Sequence, residues 1–389
     1  MHSKKLCSFA AQFVFITSVI LTLYQPLCAQ GLGRYALPFL TISPSAAANG
    51  MGGGFVAAST DASAIYYNPA ALPRLGRLAL EGNTLKWFPE LSDDLRYSYV
   101  AGAFQISTSL GLWLGAAYTH IGLGEQVITG ELDPTPLGTF KSYEQAFSLA
   151  AAKKFGQHLR FGVSFKYLRS VLAPAISNTS QNGDGRASSY AFDIGFLYDG
   201  FFQFASFSQK SKRWSWPWTN WVSDRLPPGF SLGVTFANLG PKVAYFGAAV
   251  EQPLPQNLRV GLLWNIYNSD DASLIATGQF TKILVKQQRR FGSADPFYKA
   301  LFTAWSDESF NGGLNQAIYE GGFEMGILRL GAIRVGRRWD GENRLGYNTF
   351  GYSIGPPGFR FSYTKISPDD NIVMDTRIYT ASIVLDKLF

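Results

Sequence analysis

The first feature that could carry chemistry is a glycine-rich stretch at residues 49–72, NGMGGGFVAASTDASAIYYNPAAL. Closely spaced glycines before a helix can bind phosphate through main-chain N–H groups, as in the dinucleotide fingerprint and the P-loop. The third glycine of the dinucleotide fingerprint would fall at Phe55, and the Gly-Lys-Ser/Thr of a P-loop is absent. The stretch therefore does not predict nucleotide binding. We interpret Gly50, Gly52 and Gly53 as residues that permit close backbone packing.

Side chains that could act in catalysis or bind a metal ion are few. Beyond the first 29 residues the chain has two histidines, His120 and His158, and we expect them at a strand end or in a turn rather than around one metal ion. The acidic pairs at 93–94 and 369–370 are typical of solvated turns. We therefore expect no catalytic residue, no metal site and no cofactor.

Residues 1–29 have the pattern of a secretory signal peptide. Lys4 and Lys5 precede the apolar residues 6–24, and the sequence PLCAQ offers small residues for cleavage after Ala29. An uncleaved membrane anchor is the alternative, because an apolar run of this length can just span a bilayer. Both cysteines of the chain lie in this segment, so the mature chain would have no thiol and no disulfide.

The elements that must position any site are strands, because apolar and polar residues alternate with a period of two. In residues 159–167 apolar side chains face one way, and Arg, Gly, Ser and Lys face the other. Residues 230–237, 258–266 and 359–364 repeat the pattern. Charged residues are 16% of the chain and aromatic residues are 15%. These features are typical of strands that turn an aromatic, apolar face to lipid and a polar face to a water-filled lumen.

The length and the end of the chain agree with this interpretation. The final strand alternates towards the terminal Phe389, which resembles the assembly signal of bacterial outer-membrane barrels, although Lys387 departs from the alternation. We predict an all-β fold, a transmembrane antiparallel β-barrel of about fourteen strands. Three long connections at 170–189, 206–229 and 286–318 are expected on the extracellular side, where the long loops of such barrels normally lie.

A tryptophan cluster in the second of these connections is the most unusual loop feature. It sits in the sequence KRWSWPWTNW and consists of Trp214, Trp216, Trp218 and Trp221. The four rings could form part of an interfacial belt at the level of the lipid headgroups. They could also contact a partner protein, because tryptophan and arginine commonly anchor protein interfaces. The basic residues of the chain are scattered singly, so we expect no nucleic-acid partner.

The opening stretch also carries a family resemblance. Residues 61–72, DASAIYYNPAAL, resemble the N-terminal signature of the FadL-like outer-membrane proteins. Residues 39–57 are similar to the PorV/PorQ family of the type IX secretion system, and the internal sequences FANLGPKVAY and LPQNLRVG favour the PorV branch. The Trp-rich insert at 206–226 departs from the family pattern. The resemblance otherwise covers essentially the whole mature chain.

The resemblance implies a FadL-like barrel at 76–389 in the outer membrane, with residues 30–75 folded into the lumen as a hatch. It assigns structural roles to six residues of that hatch, which are Gly50, Gly52, Gly53, Asp61, Asn68 and Pro69. It further implies a protein that performs no bond-making chemistry. The expected partners are a giant outer-membrane translocon, cargo proteins with a C-terminal secretion domain, a cell-surface attachment complex that contains a sortase, and outer-membrane lipid.

Two other functions stay open from the sequence. A FadL-like transporter of hydrophobic compounds would need an apolar pocket in the lumen and an opening in the wall. An enzyme embedded in the barrel, such as a lipopolysaccharide deacylase, would need a convergent Ser/His/Asp set that includes His120 or His158.

Overall fold

The computed structural model of the 389-residue chain describes residues 35–86, 94–129, 135–173, 185–208, 226–245, 251–269, 271–285, 294–305, 314–328, 330–356, 358–369 and 375–386. The C-terminal Lys387 and Phe389 and the four tryptophans at 214–221 lie outside these residues. No helix in the described part of the chain has both the length and the hydropathy to cross a membrane.

Most of the described residues belong to strands. The fifteen strands are β1 Leu78–Lys86, β2 Leu95–Ser107, β3 Leu112–Thr129, β4 Pro136–Phe155, β5 Leu159–Ala173, β6 Gly185–Phe201, β7 Phe207–Ser208, β8 Gly229–Leu239, β9 Asn257–Asn268, β10 Ala272–Ile283, β11 Ile318–Ile327, β12 Gly331–Asp340, β13 Leu345–Ile354, β14 Phe359–Pro368 and β15 Thr376–Leu385. The helices are short. They are the α-helices α1 Ala46–Gly50, α2 Ala64–Tyr67 and α3 Phe297–Thr303, and the 3-10 helices η1 Pro38–Thr41, η2 Pro69–Arg74 and η3 Gln203–Ala205.

The strands close into one antiparallel barrel. All except β7 pair with their neighbours in chain order, and β15 pairs with β1 from Leu78↔Leu385 to Leu85↔Ile378. The two-residue β7 adds a parallel contact to the end of β9. Fourteen strands therefore form the wall, and the prediction of a transmembrane antiparallel β-barrel of about fourteen strands is confirmed. Closure leaves no edge strand whose main-chain groups would meet lipid.

The alternation of side chains places the apolar face outside, as predicted. On β5, Phe161 and Tyr167 are 43% and 49% exposed, whereas Ser164 and Lys166 are 2% and 4% exposed. The other predicted segments on β8, β9 and β14 follow the same pattern. Large apolar and aromatic side chains on the outer face need no protein partner, because the hydrocarbon of a membrane covers them.

The connections alternate between the two ends of the barrel, because successive strands run in opposite directions. Five short turns share one end, at 108–111, 156–158, 269–271, 328–330 and 355–358. The long connections 240–256 and 284–317 lie at the other end. Since outer-membrane barrels have short periplasmic turns and longer extracellular loops, the short-turn end is the periplasmic one.

Two expectations about loops need correction. The connection between β6 and β8 leaves and re-enters the wall at the short-turn end and not, as expected from its length, at the extracellular end. Its residues 209–225, which include most of the Trp-rich insert, lie outside the described residues. The number of preceding strands determines the end of the barrel at which a connection lies, and the length of the connection does not reveal that number. The loop expected at 170–189 is also shorter, because β5 continues to Ala173 and β6 begins at Gly185.

Residues 35–75 lie inside the barrel and include η1, α1, α2 and η2. Most of their side chains are buried, and residues such as Ala48, Ile65 and Leu72 are at most 1% exposed. Their contacts reach strands on opposite sides of the wall, including β5 and β6 for η2 and β13 and β14 for α1. We call residues 35–75 the N-terminal segment. The described core of the protein therefore lies between this segment and the inner face of the barrel.

Candidate functional site

The glycine stretch turns sharply where it meets the wall. Gly52 and Gly53 have φ angles of +72° and +98°, which L side chains rarely adopt. A Cβ at Gly52 would lie 2.4 Å from the main-chain oxygen of Arg337, and a Cβ at Gly50 would lie 3.1 Å from the side chain of Arg334. These glycines lie against the barrel wall, where main-chain atoms approach each other closely.

Glycines on the inner face of the wall meet the N-terminal segment from the other side. At seven of them an added Cβ would come within 2.2–2.8 Å of an atom of that segment. They are Gly115, Gly162, Gly195, Gly233, Gly261, Gly322 and Gly336. The sequence suggested that inward glycines face water. In the structure they instead make room for a second layer of chain, because removal of the side chain lets two backbones pack together.

Asn68 joins the N-terminal segment to the wall. Its Oδ1 accepts a hydrogen bond from the main-chain N–H of Ala70 at 3.0 Å and so caps η2, in which Pro69 occupies the first position. Its Nδ2 donates to the oxygen of Val56 at 3.0 Å and to the oxygen of Phe196 on β6 at 3.1 Å. The side chain is fully buried, and both of its amide hydrogens are used.

Asp61 belongs to a buried polar group that reaches β1. Its Oδ1 accepts hydrogen bonds from the hydroxyl of Ser63 and from the N–H of Ser63, the latter at 3.2 Å. The same N–H also donates to Oε2 of Glu81 at 2.9 Å, and Asn83 donates to the other oxygen of Glu81 at 2.8 Å. Asp61 therefore closes a turn within the segment and brings it against an inward carboxyl group of the wall.

An ion-pair cluster holds the end of the N-terminal segment. The guanidinium of Arg74 pairs with the carboxylate of Asp199 on β6, and Arg160 on β5 contacts the same carboxylate. Arg74 also donates to the oxygen of Ala57 at 2.6 Å. The side chains of Arg74 and Asp199 are at most 2% exposed. A buried carboxylate between two guanidinium groups fixes the place where the segment enters the wall, because both buried cations depend on this one anion for compensation.

Hydrogen bonds on the far side of the lumen complete the attachment. Oε1 of Gln279 on β10 accepts from the N–H groups of Phe55 and Val56 at 3.1 and 2.9 Å. Thr364 on β14 donates to the oxygen of Ala46 at 2.6 Å, and the N–H of Ala46 donates to Thr380 on β15 at 2.9 Å. The segment is thus tied to both sides of the barrel, so it crosses the lumen.

Two small cavities lie beside the described part of the segment. One, next to Phe39, Tyr66 and Tyr97, encloses about 10 Å³, and another, next to Tyr67 and Arg259, encloses about 30 Å³. Such spaces hold about one or two water molecules, whereas pockets for drug-sized ligands enclose about 300–1,000 Å³.

A larger groove of about 920 Å³ lies on the outer face between β8 and β12. Its floor is formed where the outward glycines Gly278 and Gly321 pair, and rings such as Phe280 and Phe323 line its sides. The groove faces lipid and is separated from the lumen by the wall.

The two histidines lie apart from each other. His158 occupies the turn between β4 and β5, as expected, and its Nδ1 lies 2.6 Å from the main-chain oxygen of Asp199. His120 lies in the middle of β3 and not at a strand end, because β3 continues to Thr129. Its ring packs near Tyr118 and Tyr143. In the described part of the chain, no group of three His, Cys, Asp or Glu residues is placed to hold a metal ion.

A comparison with protein families decides the identity of the barrel. Residues 30–290 match the family model described as "Type IX secretion system protein PorV". The chain belongs to the PorV family. The match includes the N-terminal segment and strands β1 to β10 of the barrel, and it confirms the resemblance that the sequence of the segment indicated.

Solved structures similar to this PorV-family chain include two toluene transporters and a FadL homologue. The Pseudomonas putida toluene transporter TodX is 10% identical with a TM-score of 0.48, and the match covers 93% of this chain and 100% of that chain. The Ralstonia pickettii toluene transporter TbuX is 13% identical with a TM-score of 0.44, covering 87% and 96%. A Pseudomonas aeruginosa FadL homologue is 9% identical with a TM-score of 0.45, covering 89% and 99%. No curated protein matches the chain significantly.

Several residues that hold the PorV-family segment in place were not found from the sequence. Gln279, Asp199 and Glu81 lie on different strands, and each contacts the segment through the lumen. The sequence did contain one indication of such residues, because Asp193 and Asp199 both fall on the inward face of β6. A carboxylate at such a position needs a buried partner. The pattern does not say which partner it has.

Proposed function

We propose that this PorV-family protein is a binding scaffold of the type IX secretion system. It binds the C-terminal secretion domain of cargo beside the giant translocon and passes the cargo to the cell-surface attachment complex that contains the sortase. The observation that carries the proposal is the family match over residues 30–290. The protein acts in the outer membrane by binding and performs no catalysis.

The filled lumen supports a scaffold rather than a conduit. Barrels of 16–18 strands leave an aqueous channel, and a barrel of fourteen is narrower. Here the N-terminal segment also crosses the lumen, held by Asn68, Arg74 and Gln279 among others. A folded cargo protein cannot pass through such a space. We propose that residues 30–75 act as a permanent hatch and that the signal peptide at 1–29 is removed after export.

The long-connection end is where we place the cargo contact. The connections 174–184 and 284–317 leave the wall at the same end of the barrel, and α3 within the second presents Tyr298 and Phe302, which are 62% and 80% exposed. Exposed rings on an extracellular loop are suitable anchors for a β-sandwich domain.

Deletion of the gene tests the proposed function. We expect proteins that carry the C-terminal secretion domain to accumulate in the periplasm, whereas other outer-membrane proteins keep their normal amounts. Secretion should return with the wild-type gene, and a pull-down from detergent extracts should recover the translocon and cargo. Normal secretion of such cargo in the deletion strain would refute the proposal.

The Trp-rich connection is proposed to serve a different contact. Because β6 ends and β8 begins at the short-turn end, we propose that Trp214, Trp216, Trp218 and Trp221 contact a partner on the periplasmic side. Replacement of all four by serine should reduce recovery of that partner in pull-downs while the barrel remains folded. If recovery is unchanged and the protein is instead extracted from membranes more easily, the tryptophans form an interfacial belt.

A transporter of hydrophobic compounds is the second candidate. The described cavities beside the segment, of about 10 and 30 Å³, are too small for a fatty acid. Co-purified lipid in the lumen, together with an uptake defect in the deletion strain, would favour this function over the scaffold.

A further inference from the structure

Four positively charged side chains lie next to one another on the outer face of the barrel, near its long-connection end. They are Lys365 on β14, Arg377 on β15, Lys86 on β1 and Arg96 on β2. Lys86, Arg96 and Arg377 are exposed, and the side chain of Lys365 is 43% exposed. Their positions in the alternation are those of lipid-facing residues, since the following residue on β15, Ile378, is buried. We call these four residues the basic row.

The strand register makes the four charges direct neighbours. Lys365 pairs directly with Arg377, and Lys86 pairs directly with Arg96. Lys86 follows Leu85, whose partner on β15 is Ile378, so Lys86 lies beside Arg377. Because neighbouring strands are about 4.8 Å apart, the row is about 14 Å long. Like charges directly opposite each other destabilise a sheet, so this arrangement favours a bound anion.

The carboxylate of Asp375 lies against the basic row. Oδ2 of Asp375 lies 2.6 Å from Nζ of Lys365. Asp375 precedes β15, outside the membrane-spanning strands, and the hydrogen bond from Lys365 lowers its pKa, to which the charge of Arg377 adds. The basic row therefore already stabilises an anionic oxygen from this protein.

Tyrosines mark the depth of the basic row in the membrane. Tyr363 and Tyr379 pair with each other two residues below Lys365 and Arg377, towards the middle of the barrel. Their ring centroids are 5.3 Å apart, and Tyr352 extends the cluster at 5.2 Å from Tyr363. Aromatic belts of this kind lie at the boundary between hydrocarbon and headgroups. The basic row therefore lies at the level of the headgroups.

We propose that the basic row binds the phosphate groups of lipid A, the phosphorylated glycolipid of the outer leaflet. The long connections place this end of the barrel on the extracellular side, where the leaflet is made of that glycolipid. Lysine and arginine are the side chains that bind phosphate, and arginine does so through two parallel hydrogen bonds. Phospholipid of the inner leaflet would meet the opposite end of the barrel.

The test compares two variants with the same change in charge. In the first, the whole basic row is changed by K86Q, R96Q, K365Q and R377Q. In the matched control, four exposed cations elsewhere are changed by K141Q, K153Q, R169Q and K299Q. The full-length proteins are purified in detergent, and heat-dependent mobility on gels confirms that each barrel is folded. Binding of diphosphorylated lipid A is then measured by native mass spectrometry.

We expect wild type and control to bind lipid A alike, and the row variant to bind at least about tenfold more weakly, because each Lys or Arg near an anionic surface contributes to attraction. Dephosphorylated lipid A should bind wild type as weakly as the row variant binds the phosphorylated form. Equal binding by all three proteins would overturn the proposal. An equal loss in the control would show unspecific attraction, and equally tight binding of phosphatidylglycerol would overturn the assignment to the glycolipid.

Discussion

The side-chain amide of Asn68 donates a hydrogen bond to the main-chain oxygen of Phe196, 3.1 Å away on strand β6. The same nitrogen donates to Val56, and the amide oxygen accepts from Ala70. A single side chain thus connects the barrel wall, an upstream turn and the start of η2. This explains why an asparagine, with two donors and an acceptor on one planar group, occupies the position before Pro69.

Replacement of Asn68 by alanine should destabilise the protein. The change removes the cap of η2, worth about 1 kcal/mol, and two hydrogen bonds to main-chain oxygens, worth about 1–3 kcal/mol together. We expect the free energy of unfolding to fall by about 2–4 kcal/mol, measured by denaturant titration in detergent with tryptophan fluorescence. The control Asn343→Ala changes an exposed turn residue and should stay within about 0.5 kcal/mol. Equal effects of the two substitutions would contradict the role of Asn68.

Gly336→Ala and Gly278→Ala form a matched pair on the two faces of the wall. A Cβ at Gly336 would lie 2.2 Å from the main-chain nitrogen of Gly52, whereas a Cβ at Gly278 meets nothing within 4 Å. Gly336→Ala should therefore displace the N-terminal segment and raise ion conductance through the protein in planar bilayers. Gly278→Ala should conduct like wild type. If Gly336→Ala also conducts like wild type, the inward glycines are not needed to seat the segment.

The shared carboxylate of Asp199 should be among the most sensitive positions of the lumen. Asp199→Ala leaves the guanidinium groups of Arg74 and Arg160 buried without an anion. Breaking a buried ion pair costs about 3–5 kcal/mol, and we expect a loss of that size in denaturant unfolding. Asp369→Ala is the control, because it removes a partner of Arg337 from a pair that is 39–47% exposed. Its cost should be below about 1 kcal/mol.

The protein should lose stability at alkaline pH, because a tyrosine of the N-terminal segment is buried. Burial raises the pKa of Tyr67 well above its usual range. The unfolded tyrosine loses its proton near pH 10, while the folded one keeps it. Above that pH the unfolded state binds fewer protons than the native state, so the free energy of unfolding falls as pH rises. Below pH 10 this contribution is fully present.

Substitution of Tyr67 separates its contribution to the pH dependence of unfolding from the contributions of other groups that ionise at alkaline pH. Tyr67→Phe should show a shallower loss of stability above about pH 10 than wild type in denaturant titrations over a pH series. Tyr298→Phe, at a tyrosine that is 62% exposed, should keep the wild-type slope. Identical slopes in all three proteins would show that Tyr67 ionises equally easily in the folded and unfolded states.

Local pattern was sufficient to predict the kind of fold. The alternation in residues 159–167 and 359–364 assigned side chains to the two faces correctly, because side-chain direction in a strand depends only on neighbouring residues. The sequence of residues 39–72 likewise indicated the family. The approximate number of strands followed from chain length.

Only the tertiary structure decided which residues meet across the lumen and at which end of the barrel each connection lies. Arg74 meets Asp199, 125 residues later, and Ala46 meets Thr380, 334 residues later. Periodicity shows which face of the wall a residue occupies but not what it contacts across the lumen. The sequence therefore suggested that the inward glycines face water. The side of the Trp-rich connection likewise depends on how many strands precede it. Closure of the sheet sets these relations, because the pairing of β1 with β15 joins residues about 300 positions apart.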